Sequence, residues 1–476
     1  MKVLFAAAEI APLVKVGGLA DVVRSLPTEL INMGHDARVI VPAYGFLDYN
    51  GYKWEQLVND MMLFSLQRYH KIKIKKTALD VLPVYLVFSD FFTNSPYVYG
   101  EDEIEKFFIF CDAVSQCLPY LDWEPDIIHC HDWHTALLPM MIRNRYAIYR
   151  NIFTIHNIKY QGNFDENTLS RSGLEKFWQG KLPGGASVPW NFMAQGILWS
   201  DVINTVSENF SREILTGQYS FGMQDLLNIR RDSLYGIING LGKEEYDPET
   251  DVNIPFKFSY KDISGKYLNR ERLQNELGFK LSSEIPLIGM VSRLEEQKGL
   301  DIIIEAVPEV LKSVNARFIF LGTGKEYYEK SLIELETSYP HNVRTRITYD
   351  NHLAHMIYAG SDLFLMPSKW EPCGLGQMIA MRYGTVPVVR RTGGLADTVV
   401  EMNDNLDSGT GFIFDDYLAD ALKGALLAAI QAFNSSRSWD RVIRRIMQQD
   451  FSWQSSARKY EQLYKRALGS NNSGKQ

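Results

Sequence analysis

Short, uniformly apolar runs alternate with stretches of helical periodicity along most of the chain. In the first half the runs are KVLFAAAEI, ARVIVP, PVYLVF, DIIHC, NIFTI and DVINTV; in the second they are PLIGMVS, RFIFLGTG, VRTRITY, DLFLMPS and VPVVRR. Most lack the in–out alternation of a half-exposed strand, so they read as strands covered by helices on both faces. Helix-length segments such as IEKFFIFCDAVSQCL, GLDIIIEAVPEVLKS and LGQMIAMRYG lie between them. This rhythm predicts an α/β protein with open, mostly parallel sheets. The rhythm relaxes over residues 228–285, a polar stretch containing INGLGKEEYDPETD, and the hinge between two lobes is expected there.

An internal echo supports two lobes. Residues 15–23 read KVGGLADVV and residues 391–399 read RTGGLADTV, identical at six of nine positions. Each follows an apolar run and precedes a helical pattern. A basic residue and two glycines at a strand-to-helix turn are expected to form an anion cradle, because backbone N–H groups can approach closely and a helix N-terminus adds positive charge. In open α/β sheets ligands gather at the carboxyl ends of strands, so both turns are expected to face one inter-lobe cleft.

Composition narrows the class. The 476 residues carry a net charge of -7, which disfavours a nucleic-acid partner held by the protein's own field. Four cysteines are too few for a disulfide framework in a chain this long and suit a reducing compartment. The N-terminal apolar run is broken by Glu9 and Pro12 and leads into a glycine turn, so it reads as a buried first strand and not as a signal peptide. No apolar stretch reaches the ~18 residues needed to span a membrane. A cytoplasmic protein with a polar tail over 469–476 is expected.

Several residues carry candidate chemistry. Arg293 and Lys298 follow a strand and precede a helix, where two cations can bind a diphosphate and neutralise charge on a departing phosphate; the alternative is a solvated loop paired with Glu295 and Glu296. Glu371, held extended by Pro372, either accepts hydrogen bonds from sugar hydroxyls or caps the next helix. His129, Cys130, His131, Asp132 and His134 resemble a metal cluster, but His129 and His131 share a strand face from which Cys130 points away, and no second ligand-rich segment follows. No metal site is therefore expected, and Asp132 and His156 read instead as the polar floor of a pocket. Cys373 reads as a buried structural thiol. Phosphate-loop, nucleophile-elbow and zinc-protease signatures are all missing from the sequence.

Together, KVGGLADV at 15–22, HDWH at 131–134, TIHNIKYQG at 154–162, SRLEEQKGLD at 292–301, and SKWEPCGLGQ with RTGGLADT at 368–398 resemble bacterial glycogen synthases and plant starch synthases. The resemblance runs in order through FSWQSSARKYEQLY near the C-terminus. It implies a GT-B fold of two Rossmann-like lobes with an inter-lobe cleft, an N-terminal lobe over 1–240 joined by a C-terminal helix at 452–468, and a nucleotide-sugar lobe over 241–451. It implies retaining transfer of glucose from ADP-glucose, or in some relatives UDP-glucose, to an α-1,4-glucan or malto-oligosaccharide, with no cofactor and no metal. By the same match, Lys15, Gly17, Gly18, Arg293, Lys298, Tyr349, Cys373, Gly374, Thr392, Gly393, Gly394 and Leu395 would serve the donor. Asp21, Asp132, His156, Asn157 and Asn239 would serve the sugar and acceptor. Lys15, His156, Arg293, Lys298 and Glu371 would carry catalysis. Two positions depart from the family pattern: Gly376 replaces a threonine or serine, and Gly242 replaces an aspartate.

Overall fold

The computed structural model describes residues 1–469 except 101, 147, 179, 183–186, 243–244 and 436–437, so most of the expected tail lies outside the described residues. The chain divides into two compact units, Met1–Asn239 with Trp453–Gln476, and Gly240–Ser452. The break thus lies inside the polar stretch 228–285, and the chain returns to the first unit at Trp453, one residue later than expected.

The first unit is built on nine strands: β1 (Lys2–Ala6), β2 (Asp36–Pro42), β3 (Glu55–Ser65), β4 (Arg68–Leu79), β5 (Leu82–Phe88), β6 (Ile127–His131), β7 (Arg150–Ile155), β8 (Val202–Thr205) and β9 (Leu234–Gly236). Their spatial order is β3-β4-β5-β2-β1-β6-β7-β8-β9. β1 pairs in parallel with β2 on one side and β6 on the other, so the sheet reverses its direction of growth at β1 and β6. Val3 to Ala6 and all of β6 are buried, which is why both runs are continuously apolar or closely hydrogen-bonded.

The antiparallel strands β3 and β4 were not legible in the uniformly apolar pattern. Ile72 and Ile74 are fully buried while Lys71, Lys73 and Lys75 alternate with them toward solvent, the signature of a half-covered strand. The helix Trp453–Gly469 buries Trp453, Tyr460 and Tyr464 on the first unit. From it, Tyr464 meets His129 at 3.0 Å, and Tyr460 accepts a 3.0 Å hydrogen bond from Asn204.

The second unit has six parallel strands: β10 (Leu287–Val291), β11 (Arg317–Leu321), β12 (Val343–Arg346), β13 (Leu363–Met366), β14 (Val386–Arg390) and β15 (Phe412–Phe414). The order β12-β11-β10-β13-β14-β15 places its reversal between β10 and β13. Before β10, residues 264–276 form a helix that polarity had assigned to the hinge region. Four of its polar side chains, Lys266, Asn269, Arg270 and Gln274, are buried and hydrogen-bonded. The Lys266 Nζ lies 2.8–3.2 Å from the carbonyl oxygens of Ala359, Ser361 and Tyr383 and the hydroxyl of Thr385. Arg270 pairs with Asp362 at 3.0 Å, and Asp362 also accepts from the Leu287 amide at the start of β10.

Replacing Lys266 by Met would leave three buried carbonyls without that donor. We expect Lys266→Met to destabilise the second unit by about 3 kcal/mol. A denaturant melt of the full chain in which the variant matched the parent would show that this staple contributes nothing.

Candidate functional site

In the first unit the loop after β1 doubles back: Ile10 and Val14 bridge antiparallel, and Ala11 donates to the Ala20 carbonyl at 3.1 Å. Its return limb carries Lys15, Gly17 and Gly18, and Gly18 opens the helix Gly18–Asn32. Lys15 pairs with Asp21 at 2.8 Å, both side chains substantially exposed. The glycine turn differs from the expected cradle in one respect. The amides of Val16 and Gly17 already donate, at 2.6 and 2.9 Å, to one oxygen of Glu9. The other Glu9 oxygen accepts from the Tyr99 hydroxyl. An internal carboxylate therefore occupies two of the amides expected to face an anion.

Beside it, the loop after β6 holds Asp132 at φ 55°, ψ 179°, a backbone region that costs a non-glycine residue about 1–3 kcal/mol. The strain is held by hydrogen bonds: one carboxyl oxygen accepts from the amides of His156 at 2.7 Å and Asn157 at 3.3 Å. Burial is the main force raising the Asp132 carboxyl, to about 7, and the nearby Glu9 charge adds to it. His131 Nδ1 lies 2.9 Å from His156 Nε2, and burial lowers both rings, His156 to about 3, so a single proton between two neutral imidazoles makes this contact. The His129 ring is 4.2 Å from that of His131 and bonds Thr154 at 2.7 Å, whereas His134 packs against Tyr99, Phe107 and Trp133. Among the described residues no group of three His, Cys, Asp or Glu is arranged to hold a metal ion.

In the second unit the reversal between β10 and β13 gathers the other candidates. Lys298 Nζ lies 2.6 Å from Glu371, with side chains 18% and 7% exposed, and Ser368 donates to the same carboxylate oxygen at 2.9 Å. Glu371 is thus an ion-pair partner, and the helix-cap alternative does not describe it. The Lys369 amide donates to the Gln297 carbonyl and the Gln297 side chain to the Trp370 carbonyl, stitching the loop after β10 to the loop after β13. Arg293, 58% exposed, pairs with Glu295 at 3.0 Å, the local pairing that a solvated loop implies.

The second glycine turn differs physically from the first. Gly394 donates its amide to the Glu371 carbonyl at 3.0 Å. A Cβ on Gly393 or on Gly394 would sit 1.9 Å from the carbonyl oxygen of Glu371 or Cys373, whereas one on Gly17 or Gly18 would meet nothing within 4 Å. Glycine is required in one turn by close packing of two loops and in the other by no steric neighbour. Cys373 and Leu395 are buried, Gly374 has φ +70°, and Thr392 precedes the helix Gly393–Thr398. A Cβ on Gly376 would come within 3.0–3.1 Å of Phe364 and Met366, so these neighbours fill the room that the departure from the family pattern leaves. Two candidates lie away from the strand reversals. Tyr349 follows the edge strand β12 and is 87% exposed, and Asn239 follows the edge strand β9 with its side-chain oxygen buried and unbonded.

Glu9, Tyr99, Ser368 and Gln297 were not singled out in the sequence. Glu9 was visible only as the break in an apolar run, yet a lone acid just past a buried strand is itself a signal of a loop that needs an internal acceptor.

Two α/β units, each with polar residues gathered where its sheet reverses, match the architecture of the GT-B class of glycosyltransferases. The starch synthase catalytic domain family matches residues 2–229, and the glycosyl transferases group 1 family matches residues 271–445. Glycogen synthase from Geotalea daltonii is 41% identical, covering 98% of this chain and 99% of that protein; its counterpart from Thermosipho africanus is 39% identical over the same shares. The catalytic domain of starch synthase IV from Arabidopsis thaliana, solved bound to ADP and acarbose, superposes with a TM-score of 0.88 at 34% identity, covering 98% of this chain and 99% of that one. The chain belongs to the glycogen synthase and starch synthase family, and is a glucosyltransferase that elongates an α-1,4-glucan.

Two outcomes follow from the site geometry. Gly394→Ala should cost more than about 2 kcal/mol because backbone must move, while Gly18→Ala stays within about 1 kcal/mol of the parent; equal melting temperatures for the two variants would refute the distinction. Asp132 in the unfolded chain ionises near 4, but in the fold it keeps its proton to about 7. The fold therefore takes up a proton between these values, and that stabilisation is lost as pH rises through 7. Asp132→Asn, which cannot ionise, should raise stability at pH 8 by on the order of 2–4 kcal/mol and by much less at pH 5. A shift equal at both pH values would place the titration elsewhere.

Proposed function

We propose that the chain takes glucose from ADP-glucose and adds it, with retention of anomeric configuration, to the non-reducing end of an α-1,4-glucan or malto-oligosaccharide. The observation that carries the assignment of roles is the Lys298–Glu371–Ser368 cluster at the strand reversal of the second unit, with Arg293 on the same loop as Lys298. Arg293 and Lys298 hold the donor diphosphate, Glu371 hydrogen-bonds the glucose, and Gly393–Gly394 with Thr392 and Leu395 shape the phosphate side, with Cys373 and Gly374 at its edge and Tyr349 toward the base. Lys15 and the Gly17–Gly18 turn of the first unit serve the same donor. Asp132, His156, Asn157, Asp21 and Asn239 serve the sugar and acceptor.

Breaking the glucose–phosphate bond builds positive charge on the anomeric carbon and negative charge on the leaving diphosphate. Fixed cations that meet the latter more strongly in the transition state than in the ground state accelerate the step. The acceptor hydroxyl attacks on the face from which the diphosphate departs, and a leaving phosphate oxygen takes its proton. The cations supply the charge that a metal ion would otherwise bring, and the reading includes no cofactor and no metal. Four buried free thiols fit a reducing cytoplasm, and among the described residues no helix is long and apolar enough to cross a membrane.

Radiolabelled ADP-glucose supplied with a glucan primer should transfer label to precipitable polymer, in the presence of EDTA and in preference to UDP-glucose in direct competition. Arg293→Ala and Lys298→Ala should each lower kcat by about 10²-fold or more. Turnover within a few fold of the parent in either variant would remove that cation from the mechanism.

A further inference from the structure

We infer that Glu9 and Tyr99 are positioning residues that set the Lys15–Gly18 turn for the donor; this rests on the reading above that the turn meets the donor. The turn is exposed, and no side chain or backbone packs within 4 Å of where a Cβ on Gly17 or Gly18 would lie. Packing of Val14 and Leu19 anchors its two ends but does not reach the glycines, and the Lys15–Asp21 pair is too exposed to contribute much. Glu9 is different. It is 2% exposed, and one oxygen receives the amides of two consecutive residues, Val16 and Gly17, immediately between Lys15 and Gly18. Those bonds fix the peptide planes from which the Lys15 side chain and the first helical amide project.

The carboxylate is itself held from the far side. Its second oxygen accepts from the Tyr99 hydroxyl, and burial raises the Tyr99 phenol, so it keeps the proton it donates. The loop bearing Tyr99 is clamped by Lys106, a side chain 2% exposed whose Nζ reaches the Ser95 hydroxyl at 2.7 Å and the carbonyls of Tyr97 and Val98 at 2.9 and 3.1 Å. A buried lysine, a loop, a phenol and a carboxylate thus form an unbroken series ending on two amides at the exposed apex of the turn. None of these groups needs to touch substrate. Their effect is on where Lys15 and Gly18 stand when the diphosphate arrives, and a displacement of about 1 Å at such a group can cost on the order of 10²-fold in rate.

The test measures steady-state kinetics of the full chain with both substrates varied, together with ADP affinity by titration calorimetry, for Glu9→Ala, Glu9→Gln, Tyr99→Phe and Lys15→Ala. We expect Glu9→Ala to lower kcat/KM for ADP-glucose by about 10²-fold and weaken ADP binding, while KM for the glucan stays within about twofold. Tyr99→Phe, which removes one oxygen and opens no cavity, should lose about fivefold in the same parameter and carries the test if Glu9→Ala does not fold. Glu9→Gln keeps an acceptor for the two amides and should recover to within about threefold of the parent. Lys15→Ala separates two failures. If it leaves the ADP-glucose parameters unchanged, the assignment of this turn to the donor falls. If it impairs them while Tyr99→Phe and Glu9→Ala do not, or impair donor and glucan parameters equally, the positioning role is overturned.

Discussion

Parallel strands that end side by side at a sheet reversal leave polar groups in the loops that follow them that cannot pair with one another, and buried acidic side chains bind these groups in both units. Glu9 receives the amides of Val16 and Gly17, Asp132 those of His156 and Asn157, and Glu371 receives Lys298 and Ser368. A carboxylate is suited to this because each oxygen accepts more than one hydrogen bond in a space no peptide group would fit. The three acids are thus structural closures first, and the polar chemistry of each unit is assembled on the loops they hold. This explains how residues far apart in sequence, such as Lys298 and Glu371, meet within hydrogen-bond distance.

What the sequence revealed follows from burial. Strands covered on both faces are long apolar words, and β1, β6, β10 and β13 were readable as such, along with the polar residues that follow them. Arg293, Lys298, Glu371, Asp132 and His156 were legible for that reason. The hairpin β3–β4 was not, because half its side chains face water and its lysines mask the alternation. Nor was the helix Ser264–Glu276, whose polar composition looks like a linker until its acceptors are known; those of Lys266, and the Asp362 partner of Arg270, come from segments about 90 or more residues away.

The repeated nonapeptide shows how identical letters can answer different constraints. Gly394 is confined by the carbonyl of Cys373, while Gly18 faces open space and its turn is held through Glu9. Of the two turns, the second alone has a loop packed down on its glycines. Sequence identity at six of nine positions therefore goes with neither a shared set of contacts nor a shared backbone, since Gly17 is extended at φ -143° where its counterpart Gly393 is left-handed at φ 44°.

The helix Trp453–Gly469 adds a temporal dimension. It is synthesised after the whole second unit, yet its Tyr464 meets His129 and its Tyr460 accepts from Asn204, both buried in the first unit. During translation the imidazole of His129 and the amide of Asn204 lack these partners until more than two hundred further residues, those of the second unit, have emerged. Maturation of these contacts is thereby coupled to arrival of the last helix, so a ribosome-bound intermediate would hold a sheet already formed around an unfinished interior.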